Sequence, residues 1–323
     1  MRYIQNILLF LVVTVLATGC IKDNFDDCKN VTIYFEYKAD GDVDVLGQYI
    51  SKMDLYVFDE NGQIRGVGTY NQDELKQNAT PSFRLTPGKY KVVAVGNMYD
   101  KTEVVNLTEN DFDNIFIQHP AWKQQNKQAQ TDISNIAEGS LVDGHDDNYM
   151  GQKVIEVTTY EVHMRDTVEL FSSHIDVEIE LNGFPAPSDP NNIPYRLYIE
   201  KSNAQTSFNN EINDDEKGTC YPELIYDTEN GIYRTNNLRL FRMDHDGHLE
   251  KECCEHILVL VDNDGNEIVR GNIYNYIKRN EEIIDVTKQE TTLPISITYR
   301  GMNVEAEINI PDWVIVDGKP EWK

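Results

Sequence analysis

Long hydrophobic runs are almost absent from this 323-residue sequence. The exception, Ile7–Leu16, is about half the length a membrane-crossing helix needs. Positive charge is also scarce: 29 Lys and Arg against 55 Asp and Glu give a formal charge of −26. So acidic a chain argues against nucleic acid or anionic lipid headgroups as direct partners. There is no nucleophile elbow, Walker loop, HExxH pair or glycine-rich dinucleotide loop, which removes the enzyme classes that carry those signatures. Cysteine is sparse at five residues, and tryptophan at three. Arginine is missing altogether between Cys20 and Gln63.

The N-terminus supplies what the rest withholds. Arg2, the short apolar run and the small residues Ala17-Thr18-Gly19 read as a secretory signal over residues 1–19. Cys20 follows directly, and the arrangement resembles a bacterial lipobox. That resemblance implies cleavage between Gly19 and Cys20, diacylglycerol on the Cys20 sulfur and an acyl chain on its new amine. One acyl chain holds a protein to a bilayer only marginally, at about 0.8 kcal/mol per buried methylene, whereas three hold it essentially permanently. The acidic stretch Asp23–Asp27 resembles the export tag that sends lipoproteins of the Bacteroides group to the outer surface. If Cys20 is acylated, Cys28, Cys220, Cys253 and Cys254 remain, an even number in an exported chain, with three possible pairings.

The remainder reads as all-β. Val31, Ile33, Phe35 and Tyr37 alternate with more polar neighbours, as do Met53, Leu55 and Val57. Asp59-Glu60-Asn61-Gly62 supplies a hairpin turn into Gln63–Tyr70. Lys89–Asn97 is apolar on both faces at Val92-Val93-Ala94-Val95, the mark of a strand covered on both sides. Val154–Val162 has strand character, and Ile175, Val177, Ile179 and Leu181 form the clearest alternation. A polar stretch, Gln118–Asp147, predicts loops, with a short helix just before it near Glu109–Ile117. Further strands are expected at Tyr195–Glu200, Leu238–Met243, Leu249–Cys254, Ile257–Asp262, Glu267–Arg270, Ile295–Tyr299, Val304–Ile310 and Trp313–Val316, and one long helix at Ile273–Glu290. A recurring order of elements places one β-sandwich domain at 20–165 and a second at 166–323.

Candidate chemistry is thin. Asp59–Gly62, Asp244–Gly247 and Asp262–Gly265 invite a calcium reading, but none has EF-hand ligand spacing, and all three fit hairpin turns better. His245, His248, Cys253, Cys254 and His256 lie close together with no zinc-finger spacing, so no metal site is assigned. No cofactor and no catalytic residue is assigned either. Trp122, Trp313 and Trp322 fit core packing better than a sugar platform.

Several segments, taken in order, resemble the FimB-like family of minor-fimbrium anchor lipoproteins from Bacteroides-type bacteria. They are the lipobox with Cys20-Ile21-Lys22-Asp23, then Ile50–Asp59, Leu85-Thr86-Pro87-Gly88-Lys89-Tyr90 and Val92–Asn97. Val168-Glu169-Leu170, Asn237-Leu238-Arg239-Leu240 and Ile308-Asn309-Ile310-Pro311-Asp312-Trp313 complete the series. One position departs: Val95 stands where the family leads one to expect an aromatic. The resemblance implies two tandem transthyretin-like β-sandwich domains, no catalysis, an outer-membrane attachment through lipidated Cys20 and fimbrial stalk subunits as partners. It also implies that stalk subunits lose lipid and first strand to a protease cutting after Arg, which opens a groove for a neighbour's strand. The Arg-free stretch then predicts an anchor that keeps both and ends polymerisation. Trp313, Val314, Ile315 and Val316 are the candidate donor strand. A tip or stalk fimbrillin and a surface glycan-binding lipoprotein are the competing readings.

Overall fold

The computed structural model describes residues 29–76, 80–107, 111–122, 141–244, 247–249, 251, 255–300, 306–309 and 311. An N-terminal unit comprises β1 Val31–Glu36, β2 Lys52–Asp59, β3 Ile64–Asn71, β4 Ser82–Phe83, β5 Gly88–Gly96, β6 Glu103–Val105, β7 Phe116–Gln118, β8 Tyr149–Val157, β9 Met164–Glu169 and β10 Phe171–Ser172. A C-terminal unit follows with β11 His174–Asn182, β12 Tyr195–Asn203, β13 Gln205–Ser207, β14 Lys217–Cys220, β15 Leu224–Asp227, β16 Ile232–Thr235, β17 Leu238–Phe241, β18 Ile257–Asp262, β19 Glu267–Asn272, β20 Thr292–Tyr299 and β21 Ala306–Asn309. Among the described residues, the short helices α1 Leu46–Tyr49, α2 Gln72–Lys76 and α3 Ile273–Arg279 decorate an all-β fold.

The N-terminal unit is a stack built on one sheet, β10-β8-β5-β2-β3. Period-two alternation sends Met53, Leu55, Val57, Val92 and Ala94 to one face, where they pack on Val31 and Ile33 of β1 and Val168 of β9. The opposite face carries Tyr56, Phe58, Val93, Val95 and Met150, and these meet Ile115, Ile117, Phe208 and Phe241. The double-sided apolar run of β5 is thus buried on both sides, as its sequence requires. Above the first face lies the small sheet β4-β1-β9, in which β1 and β9 run parallel and in register from Val31↔Met164 to Glu36↔Glu169.

In the C-terminal unit β11 again pairs in parallel with a late strand, β20, from Asp176↔Thr292 to Asn182↔Thr298. Ile175, Val177, Ile179 and Leu181 of β11 pack with Leu197, Ile199, Leu258 and Leu260 of the facing sheet β14-β12-β18-β19. A third sheet, β13-β7-β6, takes strands from both units and was not foreseen from sequence.

Several segments differ from expectation. Asp166 falls inside β9, a strand held by the N-terminal sheet, so sheet partners change between Ser172 and His174. The expected helix Ile273–Glu290 is only seven residues long, since Asn280 caps it by donating from its side chain to Tyr276 O (2.7 Å), and Ile284 and Val286 then turn into the core. Near Glu109–Ile117 there is only a 3-10 turn, Phe112–Asn114, followed by β7. The strand placed at Val154–Val162 lies earlier, at β8, and residues 158–163 form a loop. Leu249 is outside any strand and Lys251 is helical, so Leu249–Cys254 is not the second arm of a hairpin. Residues 250 and 252–254 lie outside the described residues.

Where the two sheets of the N-terminal unit pinch together, Gly151 is obligatory. A Cβ there would stand 2.1 Å from the Glu169 carbonyl oxygen, a backbone atom that cannot step aside. Gly151→Ala is expected to cost about 1–3 kcal/mol by overpacking, read as a lower midpoint in urea unfolding with an unchanged slope.

Candidate functional site

The seat of β1 is the feature an anchor has to preserve. At its start the Asn30 side chain donates from Nδ2 to Leu85 O and accepts at Oδ1 from Leu85 N, both at 2.9 Å and both buried. Two such bonds fasten the strand entry to the loop before β5. The Thr32 hydroxyl meets Ser82 Oγ at 2.9 Å and His163 Nε2 at 2.7 Å, while His163 Nδ1 lies 3.1 Å from Lys29 O. Val31 and Ile33 are fully buried between the sheets. Main-chain bonds from Met164 N to Asn30 O and from Leu170 N to Glu36 O extend the parallel ladder at each end.

The exit of β1 is tied to the other unit. Tyr37, fully buried, donates its hydroxyl to the Glu290 carboxylate, and Tyr149 donates to the same oxygen at 3.2 Å. Burial, the Glu290 hydrogen bond and its charge push both phenols far above their ordinary range, so they act only as donors. Gln289 reinforces the joint: its N–H donates to Asp40 at 3.1 Å, and its Oε1 accepts from Ser172 N at 2.7 Å. Asp44 Oδ1 receives the Tyr37 and Leu46 N–H groups and turns the chain after β1.

Between the units lies a group of histidines that sequence reading missed. His145 stacks on Phe241 with ring centroids 3.8 Å apart, and its Nδ1 is buried without a partner. Asp143 stands 2.8 Å from Lys101 Nζ and 3.5 Å from His119 Nε2. Partial burial opposes ionisation of Asp143, but His119 and Lys101 prevail and hold its carboxyl at about 2. Burial, aided by the nearby His119, lowers His145 to about 3 from its ordinary 6.5. No periodicity marks these positions, because their neighbours come from loops of both units.

The sequence-predicted residues divide sharply. Gly19, Cys20, Cys28, His245, Cys253, Cys254, Trp322 and the candidate donor strand Trp313–Val316 lie outside the described residues. Trp122 is buried with Ala121, Val142 and Ala204, its ring lying where a Cβ of Gly218 would be, so it is a packing residue. Cys220 is buried, reduced and held well above the usual thiol range by burial. His256 is buried and His248 exposed, and among the described residues no three metal-ligating side chains come together. Asp59–Gly62 and Asp262–Gly265 are twin hairpin turns: each Asp accepts two main-chain N–H groups, and each Gly takes positive φ, 73° and 82°. Asp244 instead pairs with buried Arg242 at 2.6 Å.

Because His145 has a depressed pKa when folded, the unfolded chain takes up its proton first as pH falls. Stability present above pH 6.5 is therefore lost on the way down towards pH 3, with about 2 kcal/mol gone at pH 5 from this group alone. His145→Phe should flatten that part of the profile in denaturant titrations at pH 5 and 7.

The fold recurs in solved structures. A candidate adhesin from Bacteroides ovatus superposes with a TM-score of 0.63 at 14% identity, covering 91% of this chain and 96% of its own. A candidate adhesin from Bacteroides thetaiotaomicron gives 0.61 at 17% identity, covering 88% and 96%. The fimbrial anchor protein Mfa2 from Porphyromonas gingivalis gives 0.60 at 16% identity, covering 87% and 97%. Identities this low speak to the fold alone. No curated protein sequence matches. The family model for fimbrillin-A associated anchor proteins Mfa1 and Mfa2 matches residues 25–319. With a match over nearly its whole length, the chain belongs to the family of fimbrillin-A associated anchor proteins, a family of fimbrial structural proteins and not of enzymes.

Proposed function

We propose that this protein is the lipid-held foot of a fimbrium: acylated at Cys20, fixed in the outer membrane, and joined to the first stalk subunit by strand addition. It performs no catalysis and ends polymerisation because it never gives up β1. The observation that carries this reading is the fastening of that strand. β1 is paired with β9 along its whole length and with β4 at Val31 and Thr32, clamped at Asn30 and tied through Tyr37 to Glu290 of the other unit. An Arg-specific protease meets no Arg between Cys20 and Gln63, and the first, Arg65, sits in the β2–β3 ladder with its Nε on Asp59 at 2.7 Å. A groove that stays filled accepts no neighbouring strand, so the chain can only stand at an end.

The donor of the next contact is proposed to be Trp313–Val316, a short apolar segment beyond β21. Exposed backbone edges recruit strands readily, which makes a short apolar segment of this kind suited to joining a neighbour's sheet.

Cys20→Ala is expected to shed fimbriae into the medium while the secreted protein keeps its unfolding midpoint. Fimbriae retained at wild-type levels on the cells overturn the anchor role. Mass spectrometry of the cell-bound protein should find an acylated N-terminus at Cys20, and a mature N-terminus at Arg65 or beyond contradicts retention of β1. Deletion of Asp312–Lys323 should detach the stalk and leave the protein itself on the membrane.

A further inference from the structure

The end of the N-terminal unit at which β1 begins is not shaped like the rest of this acidic molecule. Strand directions bring four segments together there. They are the chain entry at Lys29–Asn30, the β2–β3 turn at Asp59–Gly62, the link before Gly88 and the loop 158–163 that joins β8 to β9. That last loop carries Tyr160 and Val162, which are 53% and 61% exposed. The Arg84 guanidinium lies 5.9 Å from the Tyr160 ring centre. His163 fastens the loop to the chain entry through Lys29 O and Thr32. A cleft of about 440 Å³ opens between the β2–β3 turn and the link before β5, with Arg65, Arg84 and Lys89 on its walls together with Asp59 and Glu60.

Charge is distributed unusually here. Lys29, Arg65, Arg84, Lys89 and Arg165 share this end with Asp59, Glu60, Glu156 and Glu161, and the tether adds Lys22, Asp23, Asp26 and Asp27, which still leaves a near balance in a chain where acids outnumber bases 55 to 29. The general repulsion from a phospholipid surface is therefore lifted at this end. An exposed Tyr beside Val and Arg is a set that settles at a bilayer interface, with the ring at headgroup depth and the cation on phosphate.

We propose that this end docks on the phospholipid surface, with Tyr160 and Val162 entering the interface and Arg84 and Lys89 meeting phosphates. The proposal rests on the acylation of Cys20, and the length of the tether selects the occupant. Lys29 is nine residues from Cys20, so fully extended chain places it no more than about 30 Å from the lipid. The strand it enters holds that whole end towards the membrane. Docking supplies a second contact that fixes the tilt of the anchor, where a tether alone leaves it free to swing.

The test uses full mature protein in vesicles of phosphatidylethanolamine and phosphatidylglycerol, 3:1, containing brominated acyl chains. Tryptophan is introduced by Val162→Trp or, as a control on the C-terminal unit, by Ile283→Trp, a position 54% exposed. After subtraction of the native signal, bromolipid should quench the Val162→Trp probe about twofold more strongly than the Ile283→Trp probe, as expected for a residue seated in the interface. Flotation of the protein with equal quenching at both positions overturns docking and leaves anchoring intact. A protein that fails to float, and behaves as Cys20→Ala does, overturns the anchoring on which docking rests. Shielding of the Val162→Trp probe from acrylamide in detergent without vesicles makes this end a protein interface and also overturns the proposal.

Discussion

The parallel ladder between β1 and β9 joins the first strand of the N-terminal unit to one of its last, 133 residues further along at Val31↔Met164. Such a pairing carries a large loop-closure cost, so β1 is held by the fold around it and not by local structure. Its apolar side chains complete one face of the core: Val31 and Ile33 have no exposed surface and rest on Leu55, Val57 and Val92. Removal of the strand would therefore open a long apolar trough and orphan the inner edge of β9. A stalk subunit exploits that trough in the mechanism the resemblance implies. In this structure β1 fills the trough.

A second consequence concerns the joint between the units. Phe208 and Phe241, from the C-terminal unit, complete the core on the far face of the central sheet, and β13 is a strand of a sheet shared with β6 and β7. An interface of this kind resembles a domain core cut in two more than a flexible hinge. The Tyr37–Glu290 and Gln289–Asp40 bonds lie on another part of the same joint. Two separate contact regions restrict rocking in a way that one does not, and a rod-like attachment requires that stiffness.

How much of this was visible in the sequence depends on the length scale of each feature. Strands of six to nine residues with a buried face, such as β2, β5 and β11, announce themselves by alternation. Three-residue strands do not, so β6, β7 and β13 were missed, and with them the shared sheet. Ile273–Glu290 has helical composition, yet the Asn280 cap and the burial of Ile284 and Val286 override propensity after seven residues. β9 takes its parallel partner β1 from 133 residues away, which nothing local in the sequence reveals. The β1 seat was legible in part: the alternation of Val31, Ile33 and Phe35 and the missing Arg lie in one continuous stretch. Its fastening was not, since Asn30–Leu85, Thr32–His163 and Tyr37–Glu290 are separated by 55, 131 and 253 residues.

The proposed anchor role gives these fastenings a direction of load. In an anchor, force enters β1 at Val31 from the lipid side and leaves β9 at Glu169 towards the C-terminal unit. The two strands run parallel, so their entry and exit points lie at opposite ends of the ladder and the pull is a shear. All the slanted hydrogen bonds of the parallel ladder then share the load, whereas a pull from one end would break them singly. The second route runs from β1 through Tyr37 to Glu290, and Glu290 leads within two residues into β20, which pairs with both β11 and β21. In the proposed anchor, β1, β9 and the β20 sheet lie on one line of load, whose links are the sheared β1–β9 ladder, the Tyr37–Glu290 hydrogen bond and the main chain from Glu290 into β20. A protein that released its first strand would break this line at its first link, so retention of β1 and the capacity to bear tension are the same structural property.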